Sequence, residues 1–228
     1  MLAGRREKRI SEGFKRLLEE LKAADRRRIV QGSSRHQHEY GPPLVEEELK
    51  DFEKTYGIRL PCEYREHLLK VGNGSPHITH DSPVQTGPGP GYGLSAFDAL
   101  HIYPEARLPF PFSTRDSPVS YQCVEDECFE DLEHIPGTLE IATEGCAHQY
   151  LLVLNGPHSG SLWSYSDGCP LLFLEHSFSH WMHEWATSSL HSVRQLPDGP
   201  QTIAQKLLSQ QGKLTAKLHQ WFRSVDSE

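Results

Sequence analysis

Apolar positions along the chain change their period several times, and each change marks an element. Ile10, Phe14, Leu17, Leu18 and Leu21 recur at i, i+4, i+7, i+8 and i+11. This predicts one amphipathic helix of about five turns, ending near Arg28. Val45, Leu49, Phe52 and Tyr56 make a second stripe. Glu46, Glu47 and Glu48 fill its first turn, where the helix dipole favours negative charge, and Gly57 offers a left-handed C-cap. Pro61 suits the first position of a further helix, because its missing N–H would have had no partner there. Tyr64, Leu68 and Val71 form that helix's stripe and Gly72 ends it. Residues 75–120 are rich in Pro, Gly and Ser and predict long ordered loops carrying short strands, for instance around Leu94 to Phe97. From residue 138 the period becomes that of strands. TLEIAT alternates, QYLLVLN is apolar at consecutive positions, and SLWSYS and PLLFLE follow after NGPHSG and SDGC turns. Consecutive apolar residues suit a strand covered on both faces. Asn-Gly and Asp-Gly between such runs are hairpin signals. A helix is expected from about Ser177 to Leu190. Asp198, Gly199 and Pro200 break the chain, and a last helix over 202–223 carries Ile203, Leu207, Leu214, Leu218 and Trp221.

These elements predict an α+β fold, with a single mainly antiparallel twisted sheet and helices packed on it. A chain of 228 residues suits one domain with decorations. Residues 1–30 hold ten Lys/Arg and five Asp/Glu, a balance of +5, while the remainder hold thirteen and twenty-six, a balance of −13. An acidic body steers basic partners in and repels nucleic acid and anionic membranes. The glutamates mixed into the first helix argue for a charged outer face rather than a nucleic-acid arm. No run of about 18 apolar residues is present, and the basic N-terminus lacks the apolar centre of a signal peptide. Five cysteines, at 62, 123, 128, 146 and 169, fit no disulfide framework, so reduced thiols and a cytoplasmic location are expected.

The pattern FE-x3-G-x2-LP-x2-Y-x9-NG is carried by Phe52, Glu53, Gly57, Leu60, Pro61, Tyr64, Asn73 and Gly74. It resembles the opening of the SUKH superfamily, the Smi/Knr-like proteins. GPGYGL at 89–94, the run at 137–163 and SFSHWMHEW at 177–185 are similar to later blocks of that family, in the same order. The resemblance implies a SUKH-like domain over 44–190. It is preceded by an accessory helix at 1–30 and a linker at 31–43, and followed by a linker and accessory helix at 191–228. It also implies a binding module without a catalytic motif: bacterial members resemble toxin-immunity proteins, fungal ones regulatory scaffolds of cell-wall synthesis.

Candidate chemistry is sparse. His176, His180 and His183 stand at i, i+4 and i+7, a spacing with which three imidazoles on one face suit zinc. The helical wheel instead places Phe178, Trp181, Met182 and Trp185 together and sets the histidines on a face expected to meet water. Cys123, Cys128 and His134, with Cys146 and His148, offer an incomplete zinc set. Cys146 and His148 as a nucleophile and base lack an orienting third group and an oxyanion hole. Gly87 to Gly93 is glycine-rich, but Pro88 and Pro90 remove N–H groups that a phosphate cradle needs. A shaped loop with Tyr92 packed down is expected there, with the loop as a possible second edge of an interface. Trp163, Trp181 and Trp185 are expected in the core.

No catalytic residue, cofactor or metal is therefore assigned. The expected function is non-enzymatic protein binding, with neutralisation of a basic toxin domain as the leading form and an intracellular regulatory scaffold as the alternative. The segment VEDECFEDLEH, 124–134, holds six carboxylates. Glu125, Asp126, Glu127, Glu130 and Asp131 are its candidate partner-binding residues, since complementary charge speeds association and sets specificity.

Overall fold

The structure is a computed structural model that describes residues 2–77, 86–119, 134–145, 148–166 and 169–196. The chain divides into two compact units after Leu190, and the packing below is that of the first. Four helices come first: α1 (Leu2–Ala24), α2 (Ser33–His36), α3 (Glu46–Tyr56) and α4 (Cys62–Lys70). Two short strands, β1 (Thr86–Gly87) and β2 (Leu94–Ser95), are followed by three 3-10 turns at Phe97–Ala99, Pro104–Arg107 and Thr114–Asp116. Four longer strands complete the sheet: β3 (Thr138–Gly145), β4 (His148–Val153), β5 (Ser161–Ser166) and β6 (Leu172–Ser177). Helix α5 (Phe178–Gln195) then begins directly after β6.

Local chemistry explains the helix ends. Val45 precedes α3, and its N–H donates to Glu48 Oε2 at 2.8 Å, so an acidic first turn also serves as a cap. Gly57 closes α3 at φ 64°, a conformation that glycine adopts without a Cβ penalty. Pro61 stands one residue before α4, as its N-cap, and its carbonyl accepts from Arg65 N at 3.0 Å. Within the α3 stripe Leu49 is fully buried and Phe52 packs against the core, but Val45 and Tyr56 are exposed at its two ends.

The sheet is an antiparallel meander in the order β1-β2-β3-β4-β5-β6. This is the mainly antiparallel α+β arrangement that the strand pattern predicts. Alternation along β4 divides two cores. Leu152 and the following Leu154 face the helices, in a cluster with Phe14, Leu18, Leu49, Tyr64, Leu68, Ile141, Leu162, Phe178 and Met182. Leu151 and Val153 face the other way, with Phe110, Val119, Ile135, Trp163 and Leu171. Among the described residues, the second face is thus covered by the loop segments around 110–119 and 135. Phe14 and Leu18 lie in the main core, so α1 covers the domain's central apolar cluster. Within 31–43, whose polar composition reads as a linker, Ser33, His36 and His38 are buried. No described helix is long and apolar enough to cross a membrane. The expected helix over 202–223, with Trp221, lies outside the described residues.

Candidate functional site

The five carboxylates singled out above, Glu125, Asp126, Glu127, Glu130 and Asp131, lie outside the described residues, as do Cys123, Cys128 and Cys146. The residues that hold the ends of the acidic segment are described. On one side Val119 forms an isolated antiparallel bridge with Leu171, with N–O distances of 3.0 and 2.9 Å. Phe173 N donates to Ser117 Oγ at 2.9 Å. The segment therefore departs from beside the start of β6, with Val119 buried in the second core. On the other side His134 stacks on Tyr103, centroids 4.5 Å apart and planes 10° from parallel. Thr138 Oγ1 donates to Ile135 O at 2.7 Å, so its 3.1 Å contact with His134 Nε2 assigns the ring proton to that nitrogen. Burial pushes His134 down to about 4, with Glu105 opposing and His101 adding to the fall. It is a neutral anchor at pH 7. Glu105 is buried with Oε2 unpartnered by protein, and burial pushes Glu140 up. Both ends of the acidic segment are thus fixed to the face of the sheet that carries the second core.

The glycine-rich loop is packed in, as a shaped loop. Residues 86–91, 93 and 94 are buried and Tyr92 is half-buried, with the Arg35 guanidinium 4.6 Å above its ring. Tyr92 N donates to Thr143 O at 2.8 Å, and Tyr40 Oη donates to Pro88 O. A Cβ on Gly91 or Gly93 would come within 2.5 Å of Thr143 O or 2.2 Å of Gly87 O. The loop consequently has no free edge to offer a partner, which corrects the expectation of a second interface edge there.

The three histidines of the β6–α5 corner separate. His183 is not on a solvated face: its Nδ1 is 2.8 Å from Ser179 O and its ring packs on Phe14 at 5.3 Å. A helical wheel of α5 alone cannot register α1 lying across it. His176 belongs to β6, and together with His180 it meets Glu184 instead. His148 Nε2 is 2.9 Å from Ser164 Oγ, across the β4–β5 pair.

Sequence reasoning missed a buried polar cluster at the end of α1. Asp25 Oδ1 accepts from Ile29 N at 2.8 Å, and Oδ2 accepts from Val30 N at 3.2 Å. His38 Nε2 lies 2.8 Å from Oδ2, with both side chains fully buried. Burial works to raise the Asp25 pKa, but the hydrogen bonds from His38, Ile29 and Val30 outweigh it and hold the carboxyl low. His38 N donates to His36 Nδ1 at 3.0 Å, and burial pushes His36 down to about 3. The only sequence signal was His-x-His in a stretch without periodicity. A second buried histidine, His67, is pushed by burial to about 3 in a nest of Phe14, Tyr40 and Phe178 rings. Its Nε2 and the Tyr64 Oη have no protein partner. Both residues line a cavity of about 10 Å³, room for roughly one water centre. These clusters are closed, and they brace the helices rather than present chemistry to a substrate.

Comparison with family models decides the kinship. The SMI1 / KNR4 family (SUKH-1) model matches residues 43–184, more than half of the chain. The chain belongs to the SMI1 / KNR4 family. The match spans the Leu-Pro helix pair, the glycine-rich loop, the whole sheet and the start of α5 of this SUKH-1 domain. Membership suggests a toxin-immunity or cell-wall regulatory domain; the family is generally non-catalytic, and its members often bind protein partners such as toxins. Comparison with curated proteins and with solved structures returned no match.

Proposed function

We propose that this SUKH-1 domain is a non-enzymatic protein-binding module of the bacterial immunity type, which neutralises a toxin domain by direct binding. The observation that carries the reading is family membership over 43–184. The charge balance supports it, with −13 carried outside the first thirty residues. The docking surface is centred on the segment 120–133, through Glu125, Asp126, Glu127, Glu130 and Asp131. Val119 and His134 hold its ends, through the bridge to Leu171 and the stack on Tyr103. The partner is a basic protein domain whose active cleft is sterically covered, with the carboxylates facing its cationic residues. Anchored ends reduce the ordering cost of association, and complementary charge raises the on-rate.

The test is co-expression with a candidate toxin from a neighbouring gene, together with titration calorimetry and stopped-flow association of the purified pair. Growth rescue and a one-to-one complex are expected. Replacing the five carboxylates by their amides should slow association about tenfold or more at low salt and flatten its salt dependence. No complex and no rescue would reject the immunity reading. Capture of a cell-envelope or signalling protein from the native host would replace it with the scaffold role.

A further inference from the structure

We propose that His176, His180 and Glu184 form a binding site for a divalent transition-metal ion of the zinc class. The site is made by the corner at which β6 becomes α5. His176 is the penultimate residue of β6, and His180 and Glu184 are one turn apart on α5. The two imidazoles stack with centroids 4.6 Å apart and planes 20° from parallel, so both ring edges turn to the same carboxylate. Glu184 Oε2 is 3.0 Å from His176 Nε2 and 3.9 Å from His180 Nε2. One donor atom from each residue lies within 4.8 Å of the other two. Zinc bonds of about 2.0–2.2 Å in a tetrahedral site set neighbouring donors roughly 3.4 Å apart. The observed separations bracket that value, and small rotations of partly exposed side chains close the remainder.

The backbone beneath the three groups is fixed. Ser179 N donates to Glu63 Oε2 at 2.8 Å, tying the corner to α4, and His180 N approaches Ser177 Oγ at 3.4 Å. Two imidazoles and one carboxylate suit zinc, nickel or copper, whereas magnesium and calcium favour sets of oxygen ligands. Three protein ligands leave a further position for water. His183, which the i, i+4, i+7 spacing would have recruited, is held by Ser179 O and Phe14, and Glu184 takes the third place. An ion here ties the end of the sheet to the second turn of α5.

The test titrates zinc chloride into the full chain by calorimetry, beside magnesium and calcium, and records the cobalt(II) spectrum as a ligand reporter. His180→Ala and Glu184→Ala are the variants, chosen because their side chains are 63 % and 54 % exposed. Circular dichroism checks their fold. Loss of an outer-shell partner alone costs about 10–100-fold in metal affinity, so each variant is expected to weaken zinc by at least about tenfold. Wild type should bind cobalt with a nitrogen-and-oxygen spectrum, without a thiolate charge-transfer band. Zinc should raise the wild-type Tm and leave that of the variants where it was. A zinc isotherm unchanged in both variants, or cobalt held only in a thiolate site, overturns the proposal.

Discussion

Acid should destabilise this domain well before its carboxylates titrate, because two buried histidines resist protonation in place. His36 and His67 are pushed to about 3 by burial, while an unfolded histidine titrates near ~6.5. Between those values the unfolded chain binds protons that the native state refuses, so stability rises with pH and falls as pH drops below the unfolded value. Moving from about pH 7.5 to about pH 5 costs roughly 2 kcal/mol for each such residue, about 4 kcal/mol together. His134, pushed to about 4, adds a further loss of the same sign. Asp25, held low by its hydrogen bonds, keeps its contribution across this window and loses it only in stronger acid. A typical domain is stable by about 5–15 kcal/mol, so the loss is a large fraction of the total. Urea unfolding at the two pH values measures it. In His67→Phe, which keeps a ring among Phe14, Tyr40 and Phe178, the loss should shrink by about 2 kcal/mol. A wild-type loss under about 1 kcal/mol, or one that His67→Phe leaves unchanged, would refute the reasoning.

Two substitutions test the packing. Leu152→Ala empties a fully buried position paired across the sheet with Leu139 and Leu162, and should cost about 2–5 kcal/mol in denaturant unfolding. Asp25→Ala strands the N–H groups of Ile29 and Val30 and the His38 ring, and should cost about 3 kcal/mol or more. The same unfolding series reads it, and an effect under about 1 kcal/mol would show that those donors find other partners.

Among the described residues, the sequence by itself determined the longer elements and their order. Its apolar period separates helix from strand, because a helix repeats every 3.6 residues and a strand every two. Short Asn-Gly and polar turns between consecutive strands left a meander as the simplest pairing, and the sheet follows it. The unbroken apolar run of β4 foretold a strand covered on both faces, and Leu152 and Leu151 face opposite cores. Local motifs also sufficed for the family, since the Leu-Pro helix pair and the glycine loop are packing devices written in consecutive residues. What only tertiary structure decided is what those faces meet. Periodicity says that a side chain turns inward, not which neighbour receives it. The wheel of α5 set His183 in solvent because α1 is distant in sequence, yet Phe14 covers it. The polar stretch 31–43 reads as a linker because burial of His36 and His38 depends on Asp25 at the end of a different helix. Glu184 joins His176 and His180 only because β6 runs into α5 without a loop, bringing a strand end over a helical turn. Contacts between elements are set by how faces close on one another, and one-dimensional spacing carries no record of that closure.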